Sequence, residues 1–357
     1  MNILVLRYRF IGDTILTVPF LRNLRRAYPD GKIDMVVAPH SSDVLIGTPY
    51  VDEFIIYDPP TIHADSRGTH KTITSKIAFI SSLRGRGYDK AYVLKRSFSS
   101  ALIAYLTGAR ERIGFETEKR GFLLTRRVPY RHDRHEIVNF LSVLEADGVT
   151  VADDYLEAWV SEEEMAWAGD FLSESGITSG QGIVGIHPFS AAAERAWHED
   201  NFIEMANYLA KNRGIRIILF GGSGDVAPAG HFQENLDPPP VNAVGKTKLR
   251  QTMALLKHCS FLICNDSGIM HLGAALNVPL IALFGPQSPV KFGPWGERST
   301  VVYKNFFCSP CRQIFFEECD PSPRMKPMCM EEITPHEIIE LAENLLRDQD
   351  VKKQSGK

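Results

Sequence analysis

Short β-branched runs alternate with helix-length segments along most of this chain, and this alternation limits the possible folds more than any other feature. It is typical of parallel βαβ units, whose strands are covered on both faces. The alternation fades between 153 and 182 and then restarts, so we predict two parallel sheets. The predicted strands are Asn2–Leu6, Ile33–Ala38, Phe54–Tyr57, Lys90–Leu94, Ile183–His187, Ile215–Phe220, Val241–Val244, Ser260–Cys264 and Leu280–Phe284.

The break between the two series predicts the domain boundary. With 357 residues and 44% hydrophobic content, the chain can bury a large core and divide in two. We assign 1–165 to an amino-terminal Rossmann-like domain, 166–182 to a linker, 183–345 to a carboxyl-terminal Rossmann-like domain and 346–357 to a flexible tail. The two domains would face a central cleft, and ligands of open α/β sheets bind beyond the carboxyl ends of the strands.

Composition argues against several classes of protein. A net charge of −3 gives no reason to expect a nucleic-acid partner. No apolar run reaches the roughly 18 residues of a membrane span, and the chain enters a strand pattern at once rather than a signal peptide. Six cysteines in a chain of this length do not suggest a secreted disulfide framework. We expect a cytoplasmic protein, at most loosely attached to a membrane surface.

A polar cluster interrupts two apolar runs in NDSGIMHLGAALNVPLIALFGP, residues 265–286. The preceding run reads as a buried strand and the following residues as a helix, so the cluster lies at a helix N-terminus. Free amides and the helix dipole favour an anion there, Ser267 and Gly268 allow a phosphate to come close, and His271 lies one turn further on. In the alternative interpretation, Asp266 or Ser267 only caps the helix and His271 is a buried imidazole.

The segment ILVLRYRFIGDTILTVPFLRNL near the start of the chain is a second candidate site. A buried strand is followed by a loop that contains Arg7, Arg9 and Asp13. Either Thr17 caps a helix, or Pro19 kinks one that begins just after Asp13. In both cases Asp13 lies past the carboxyl end of the first strand. The alternative is that Asp13 is an ordinary cap or turn residue.

Taken together, these segments resemble the ADP-heptose:lipopolysaccharide heptosyltransferases of glycosyltransferase family 9. RYRFIGDTILTVPFLRNLRRAYPDGKIDMVV resembles their amino-terminal motif, and NDSGIMHLGAALNVPLIALFGP resembles their donor-site motif. IHPFSAAAERAWHEDNF resembles their segment with a basic residue just before a Trp. The likeness runs in order over most of 1–345. It implies the two-domain GT-B fold and transfer of heptose from ADP-heptose to the inner core of lipopolysaccharide.

The resemblance also implies residue roles. Asp13 matches the catalytic base, which takes the proton from the acceptor hydroxyl, and the sugar is transferred with inversion. Arg195 stands where the family has a Lys that holds the donor phosphate. The donor-binding residues implied in this way are Ser190, Arg195, Asp225, Thr247, Asp266, Ser267, Gly268 and His271. No acidic pair stands out as an essential Mg²⁺ site, so we expect no cofactor beyond the donor substrate.

The acceptor side is less well defined by the sequence. RYRFIGD is closer to members that add a side-branch heptose, which suggests a heptosyltransferase II/III-like enzyme. A basic stretch from Arg110 to Arg134 is suited to lipid A or core phosphates, or to the anionic inner-membrane surface. The alternative is a solvated face. The candidate acceptor-binding residues are Arg9, Arg120, Arg126 and Arg127.

Four cysteines near the carboxyl end form the pattern C-x2-C-x7-C-x9-C. Four thiols at this density are suited to zinc or an iron–sulfur cluster, although the spacing is not that of paired C-x2-C knuckles. Reduced structural thiols or an occasional disulfide are the alternatives. The candidate metal ligands are Cys308, Cys311, Cys319 and Cys329.

Three other functions remain open at this point. GGSGDVA at 221–227 resembles a dinucleotide fingerprint, but Pro228 and the lack of an acidic residue after the next strand argue against a dehydrogenase. The chain could also be a GT-B transferase for another nucleotide sugar, or a non-catalytic module that only binds one.

Overall fold

The computed structural model describes residues 1–60, 68–178, 180–314, 319 and 321–355. The chain divides into two compact units, Met1–Trp159 and Val160–Lys357. The boundary therefore falls earlier than the sequence suggested. The helix Glu162–Glu174 spans the predicted end of the first domain and the start of the predicted linker, and it belongs to the second unit.

The first unit contains a six-stranded, fully parallel sheet in the order β3-β2-β1-β4-β5-β6. Its strands are β1 (Asn2–Leu6), β2 (Lys32–Val37), β3 (Glu53–Ile56), β4 (Lys90–Val93), β5 (Glu111–Phe115) and β6 (Arg126–Val128). Its helices are α1 (Ile11–Ile15), α2 (Val18–Ala27), α3 (Ile73–Arg84), α4 (Phe98–Leu106) and α5 (Glu136–Ala146).

The second unit repeats this plan with the order β12-β11-β10-β7-β8-β9, again fully parallel. Its strands are β7 (Ile183–His187), β8 (Arg216–Leu219), β9 (Val241–Asn242), β10 (Phe261–Asn265), β11 (Leu280–Phe284) and β12 (Ser299–Tyr303). Its helices are α6 (Glu162–Glu174), α7 (Glu199–Arg213), α8 (Val226–Asn235), α9 (Leu249–His258), α10 (Gly268–Ala275), α11 (Pro289–Phe292), α12 (Met328–Glu331) and α13 (Pro335–Ser355).

The central strands explain why the apolar runs are continuous rather than alternating. Successive residues of β1 and of β10 are buried whichever face they point to, because helices cover both faces of each sheet. Leu4 and Leu6 pack with Phe79 and Leu83 of α3 in one core. Each fully buried side chain of this size contributes about 1.5–3 kcal/mol. The predicted pair of parallel α/β sheets is thus confirmed.

Sequence analysis missed β5, β6 and β12, and the physical reason is common to all three. β6 and β12 are edge strands and β5 lies next to an edge, so their segments ERIGF, RRV and STVVY carry charged or hydroxyl residues in place of a long apolar run. Strand pairing, rather than burial of every side chain, holds such segments in the sheet.

Two local expectations need correction. The first concerns Asp13, which lies in the short helix α1 rather than in a loop, while Thr17 is the N-cap of α2 as one of the two alternatives proposed. The second concerns the predicted flexible tail, because α13 continues as a helix to Ser355. Ile338 and Ala342 bury this helix in the core of the second unit, and a helix anchored in this way can extend beyond its packed turns.

Among the residues that the structure describes, no helix has both the length and the apolar composition that crossing a bilayer requires.

Candidate active site

Each sheet reverses its strand order once, and the polar candidates gather at those two points. In the first unit the reversal falls between β1 and β4, and in the second between β7 and β10. In open parallel sheets the loops diverge at such a switch point and leave a crevice at the carboxyl ends of the strands. The two crevices are therefore the places where ligands are expected.

At the first switch point, Asp13 is held by a buried arginine. Arg7 follows β1 directly, and its Nη2 lies 2.7 Å from Asp13 Oδ2. The Arg7 side chain is 8% exposed and that of Asp13 is 21% exposed. The guanidinium also lies over the ring of Phe140, 5.3 Å from its centroid. A carboxylate fixed by a buried cation but still open to solvent can accept a proton from a bound ligand.

Lys95, which sequence analysis missed, adds a second cation at this point. It lies just beyond β4, where its Nζ donates to Tyr8 O at 3.2 Å and sits 4.1 Å from the Tyr8 ring centroid. Burial lowers its pKa to about 8, and the positive charges of Arg9 and Arg7 act in the same direction. A lysine directly after the strand that flanks β1 was the available signal in the sequence.

Arg9 is the predicted acceptor residue that stays exposed here. Its guanidinium lies over the Phe10 ring, 4.7 Å from the centroid, and both side chains face solvent. Its positive charge lowers the pKa of Lys95. The structure therefore brings Arg9, Lys95 and Asp13 together at one end of the sheet.

Arg120 does not match the prediction of a solvent-facing acceptor contact. Its side chain is 0% exposed, and burial lowers its pKa to about 10. Nε donates to Phe115 O at 3.0 Å, while Nη1 donates to Lys95 O at 2.5 Å and to Ser97 O at 2.8 Å. The guanidinium thus holds the loop between β4 and α4 in place. Sequence analysis counted its charge but had no means of seeing the carbonyl groups that surround it.

We expect Arg120→Met to lower the free energy of unfolding by about 3 kcal/mol, because buried carbonyl groups lose a charged donor. Urea denaturation measures this loss. Arg127→Met is the matched control, since Arg127 is 53% exposed and its replacement should change stability by less than about 0.5 kcal/mol. An unchanged stability in Arg120→Met, combined with a raised KM for the acceptor, would return Arg120 to the acceptor site.

The other two predicted acceptor residues lie away from Asp13 or are already paired. The Arg126 guanidinium donates to Ala146 O at the end of α5 and lies 3.4 Å from Asp147. Asp147 also binds Lys90, the first residue of β4, so Arg126 reaches toward the amino end of the strands, opposite to Asp13. Arg127 pairs with Glu116 at 3.4 Å on the surface. The structure does not bring either of them to Asp13.

At the second switch point, the turn after β10 presents the N-terminus of α10. Ser267 is the N-cap residue with an extended backbone, and its side chain makes no capping hydrogen bond. The Ser267 hydroxyl lies instead 3.3 Å from Nδ1 of His187, at the end of β7. The interpretation in which the Ser267 side chain merely caps the helix is therefore wrong. The first amides of α10 are left without a side-chain cap, as an anion site requires.

Asn265 and Trp197 tie the loop after β7 to this turn. Asn265 is fully buried, accepts from Trp197 N at 3.0 Å and donates to Pro188 O at 2.7 Å. The Trp197 ring is also fully buried, and its Nε1 donates to Ile333 O at 2.8 Å. This anchoring explains why a basic residue two positions before the Trp reaches the site, because the Trp fixes the backbone that carries Arg195.

Arg195 and Asp266 form a loose ion pair at the edge of this turn. Arg195 Nη1 lies 4.0 Å from Asp266 Oδ2, too far for a hydrogen bond. Arg195 Nε is buried and makes no hydrogen bond to any residue that the structure describes. Burial raises the pKa of Asp266 to about 6, while the Arg195 charge opposes that rise. The guanidinium thus has donors to offer to an anionic ligand.

The remaining donor candidates lie on loops at the same edge of the sheet or within α10. Ser190 follows β7, Asp225 follows β8 and Thr247 follows β9. Asp225 accepts from the amide of Gly222 at 2.8 Å, and the Thr247 hydroxyl lies 2.9 Å from that of Thr252. The structure thus places all three beyond the carboxyl ends of neighbouring parallel strands. His271 is 6% exposed within α10, as the alternative of a buried imidazole predicted.

The carboxyl-terminal cysteines are free thiols in the structure. Cys329 is buried, which raises its pKa to about 12, and electrostatic interaction with Cys308, Cys311 and Cys319 acts in the same direction. Within the described ranges, no group of three or more His, Cys, Asp or Glu side chains is arranged to hold a metal ion. Cys319 is flanked on both sides by residues outside those ranges.

Two parallel α/β sheets, each with its polar candidates at the switch point, define the GT-B architecture of glycosyltransferases. The model of the protein family described as "Glycosyltransferase family 9 (heptosyltransferase)" matches residues 76–318, more than half of the chain. The chain therefore belongs to glycosyltransferase family 9. It is an enzyme that transfers a glycosyl group. The hypotheses of a dehydrogenase and of a non-catalytic binding module are therefore rejected.

Individual relatives agree with this assignment. The chain is 29% identical to lipopolysaccharide heptosyltransferase 2 of Escherichia coli K12 over 316 residues, which cover 85% of this chain and 88% of the relative. A family 9 glycosyl transferase from Veillonella parvula superimposes with a TM-score of 0.84 at 27% identity over 97% of each chain. The E. coli heptosyltransferase WaaC, solved with ADP, shares the fold with a TM-score of 0.70 at 20% identity and covers 97% of this chain and 100% of its own.

Proposed function

We propose that this protein transfers heptose from ADP-heptose to the inner core of lipopolysaccharide, with inversion at the anomeric carbon. The observation that carries the donor assignment is the N-terminus of α10, which Ser267 leaves without a side-chain cap beside the under-paired guanidinium of Arg195. Family membership and the similarity to a lipopolysaccharide heptosyltransferase support the choice of sugar and acceptor class.

The proposed reaction is a single displacement. Asp13 accepts the proton of an acceptor hydroxyl as that oxygen attacks the anomeric carbon. The bond between this carbon and the β-phosphate oxygen breaks, and ADP leaves with the bonding electrons. Arg7 holds the Asp13 carboxylate in one orientation, so that the base is positioned before the acceptor arrives.

The leaving group is stabilised from the second unit. Negative charge grows on the β-phosphate as the bond breaks, and an oxocarbenium-like sugar develops beside it. The amides at the start of α10 and the Arg195 guanidinium are donors fixed where that charge forms. Asp266 lies next to both and is the residue we assign to the sugar. Ser190, Asp225, Thr247 and His271 complete the proposed donor site from the same edge of the sheet and from within α10.

On the acceptor side we assign Arg9 and Lys95 to an anionic group close to the nucleophilic hydroxyl. Both cations lie near Asp13, and the burial of Lys95 strengthens its interaction with a charged ligand. A phosphate or carboxylate of the inner core has the chemistry that these groups bind. We further propose that the enzyme meets its acceptor at the anionic inner face of the membrane.

We expect the KM for the acceptor to rise as pH increases through about 8, because Lys95 loses its charge there. Burial is the largest cause of this low pKa; among the neighbouring charges, Arg9 and Arg7 lower it and Asp13 and Glu118 raise it. An anionic acceptor favours the protonated lysine, so binding near pH 8 should take up protons. Steady-state kinetics between pH 7 and pH 9 measures the effect.

Lys95→Arg is the control for this pH dependence. Arginine keeps its charge throughout the range, so the variant should bind acceptor with little change in KM between pH 7 and pH 9. Lys95→Met should bind weakly at every pH. A wild-type KM that stays constant across pH 8 would remove Lys95 from the acceptor site.

The proposed function itself is tested by ADP release from ADP-L-glycero-β-D-manno-heptose with a panel of truncated lipopolysaccharide acceptors. Release that depends on acceptor, with NMR of the product giving the α-anomer, supports an inverting heptosyltransferase. Release only with a different nucleotide sugar would redirect the donor assignment. The absence of ADP binding would contradict the proposed donor site.

A further inference from the structure

The hydroxyl of Ser267 has an unusual set of neighbours for an N-cap residue. Serine at this position ordinarily accepts from an amide in the first turn of the helix. Here that bond is absent, and the partner of the hydroxyl is Nδ1 of His187 at 3.3 Å. The side chain is thus turned from its own helix toward a neighbouring strand.

His187 is built into the switch point between β7 and β10. It is the last residue of β7 and pairs in register with Cys264 of β10. Its ring meets Phe189 edge-on at 5.9 Å, and Phe189 in turn meets the fully buried Phe232 at 5.9 Å. The imidazole thus packs against an aromatic side chain while its Nδ1 lies 3.3 Å from the Ser267 hydroxyl.

The imidazole is uncharged at neutral pH. Burial lowers the pKa of His187 to about 4, and the negative charge of Asp225 offsets this only in part. A neutral imidazole acts through a hydrogen bond rather than as a cation. The side-chain partner of its Nδ1 in the structure is the hydroxyl of Ser267.

The two tautomers of His187 have opposite consequences. If Nδ1 accepts, the Ser267 proton points at the ring, and the lone pairs of the hydroxyl face the ligand. If Nδ1–H donates, Ser267 Oγ accepts this bond, and its own proton is free to donate to an oxygen of the ligand. An anionic ligand favours the second arrangement.

We propose that His187 is a positioning residue for the nucleotide donor: its Nδ1–H donates to Ser267 Oγ, holds that hydroxyl off the amides of α10 and directs its proton at the pyrophosphate. The inference rests on the proposed donor site. It adds that the α10 amides and the Ser267 hydroxyl both donate to the pyrophosphate. They can do so because the hydrogen bond from His187 keeps the hydroxyl from capping those amides.

The test is a double-mutant cycle on ADP affinity, measured by calorimetry with the full chain. Ser267→Ala should weaken ADP binding about 10-fold, the loss typical of one hydrogen bond to a charged group. His187→Leu should cause a similar loss. The double variant should be no weaker than either single variant, because both remove the same interaction. Two independent losses that multiply in the double variant would overturn the proposal.

Conservative variants separate positioning from general structural damage. In His187→Asn the side-chain amide N–H takes a place close to Nδ1, so this variant should keep most of the ADP affinity. His187→Gln carries the same amide one bond further out and should lose it. In kinetics, His187→Leu should raise the donor KM and leave kcat within about threefold of wild type. Equal losses of ADP affinity in the Asn and Gln variants would contradict the positioning role of His187.

The same data distinguish this inference from the proposed function. If wild type does not bind ADP, both fail. If wild type binds ADP and Ser267→Ala binds it equally well, the proposed donor site is retained and the proposed role of His187 is rejected.

Discussion

Asp13→Asn should lose turnover by a factor of about 10²–10⁴, the contribution typical of a general base. The side chain keeps its size but can no longer take the acceptor proton. Affinity for ADP should stay at the wild-type value, because the proposed donor residues all belong to the second unit. Initial rates of ADP release give kcat, and calorimetry gives the affinity.

Asp133→Asn is the matched control, since Asp133 is an exposed carboxylate of the same unit that pairs with Arg131 on the surface. Its kcat should match wild type. A kcat for Asp13→Asn close to that of the control would mean that another group takes the proton. A loss of ADP affinity together with kcat would instead indicate damage to the fold, which a thermal unfolding scan would detect.

Arg195→Ala should weaken ADP binding about 10- to 100-fold. A guanidinium bonded to phosphate contributes about 1.5–3 kcal/mol, and the buried Nε of Arg195 has no hydrogen-bond partner among the residues that the structure describes. The variant also removes the positive charge that opposes the rise of the Asp266 pKa. Calorimetric titration with ADP measures the combined loss.

Arg195→Lys should fall between wild type and the Ala variant, because it keeps the charge but not the planar pair of donors. Arg298→Ala is the control. Arg298 precedes β12 at the amino edge of the same sheet and donates to Asn277 O, so its removal should leave ADP affinity unchanged. An Arg195→Ala variant that binds ADP like this control would place the phosphates elsewhere.

The electrostatics of the two sites differ in a way that suits the proposed reaction. The first unit surrounds one carboxylate with Arg7, Arg9 and Lys95, which favours an anionic acceptor beside the proposed base. The second unit places one partly buried carboxylate, Asp266, beside a single arginine and a helix N-terminus. The cations at both switch points, together with the amides at the start of α10, compensate the phosphates of the proposed donor and acceptor.

Several features could be predicted from the sequence because they depend on short-range patterns. Apolar runs at strand length predicted the central strands of both sheets, and the turn after Cys264 predicted the start of α10. Parallel strands then placed Asp13, Asp266 and Ser267 beyond carboxyl ends. The family resemblance predicted the GT-B fold and the enzyme class.

Other features depended on contacts between distant segments. Arg9 and Arg120 look alike in sequence, yet one faces solvent and the other binds buried carbonyl groups of the β4–α4 loop. The residue type gives the charge of a side chain, whereas its burial and its hydrogen-bond partners depend on which loops come into contact in the folded protein.

The sequence by itself determined the class of fold, the central strands of both sheets and the place of Asp13, Asp266 and Ser267 just beyond strand ends. Only the tertiary structure decided that Nδ1 of His187 lies 3.3 Å from the hydroxyl of Ser267, 80 positions away, and that Lys95 lies near Asp13. The physical reason is that periodicity and turn chemistry act over a few residues, whereas hydrogen bonds and charges at a switch point join strands that neighbour each other only in the folded sheet.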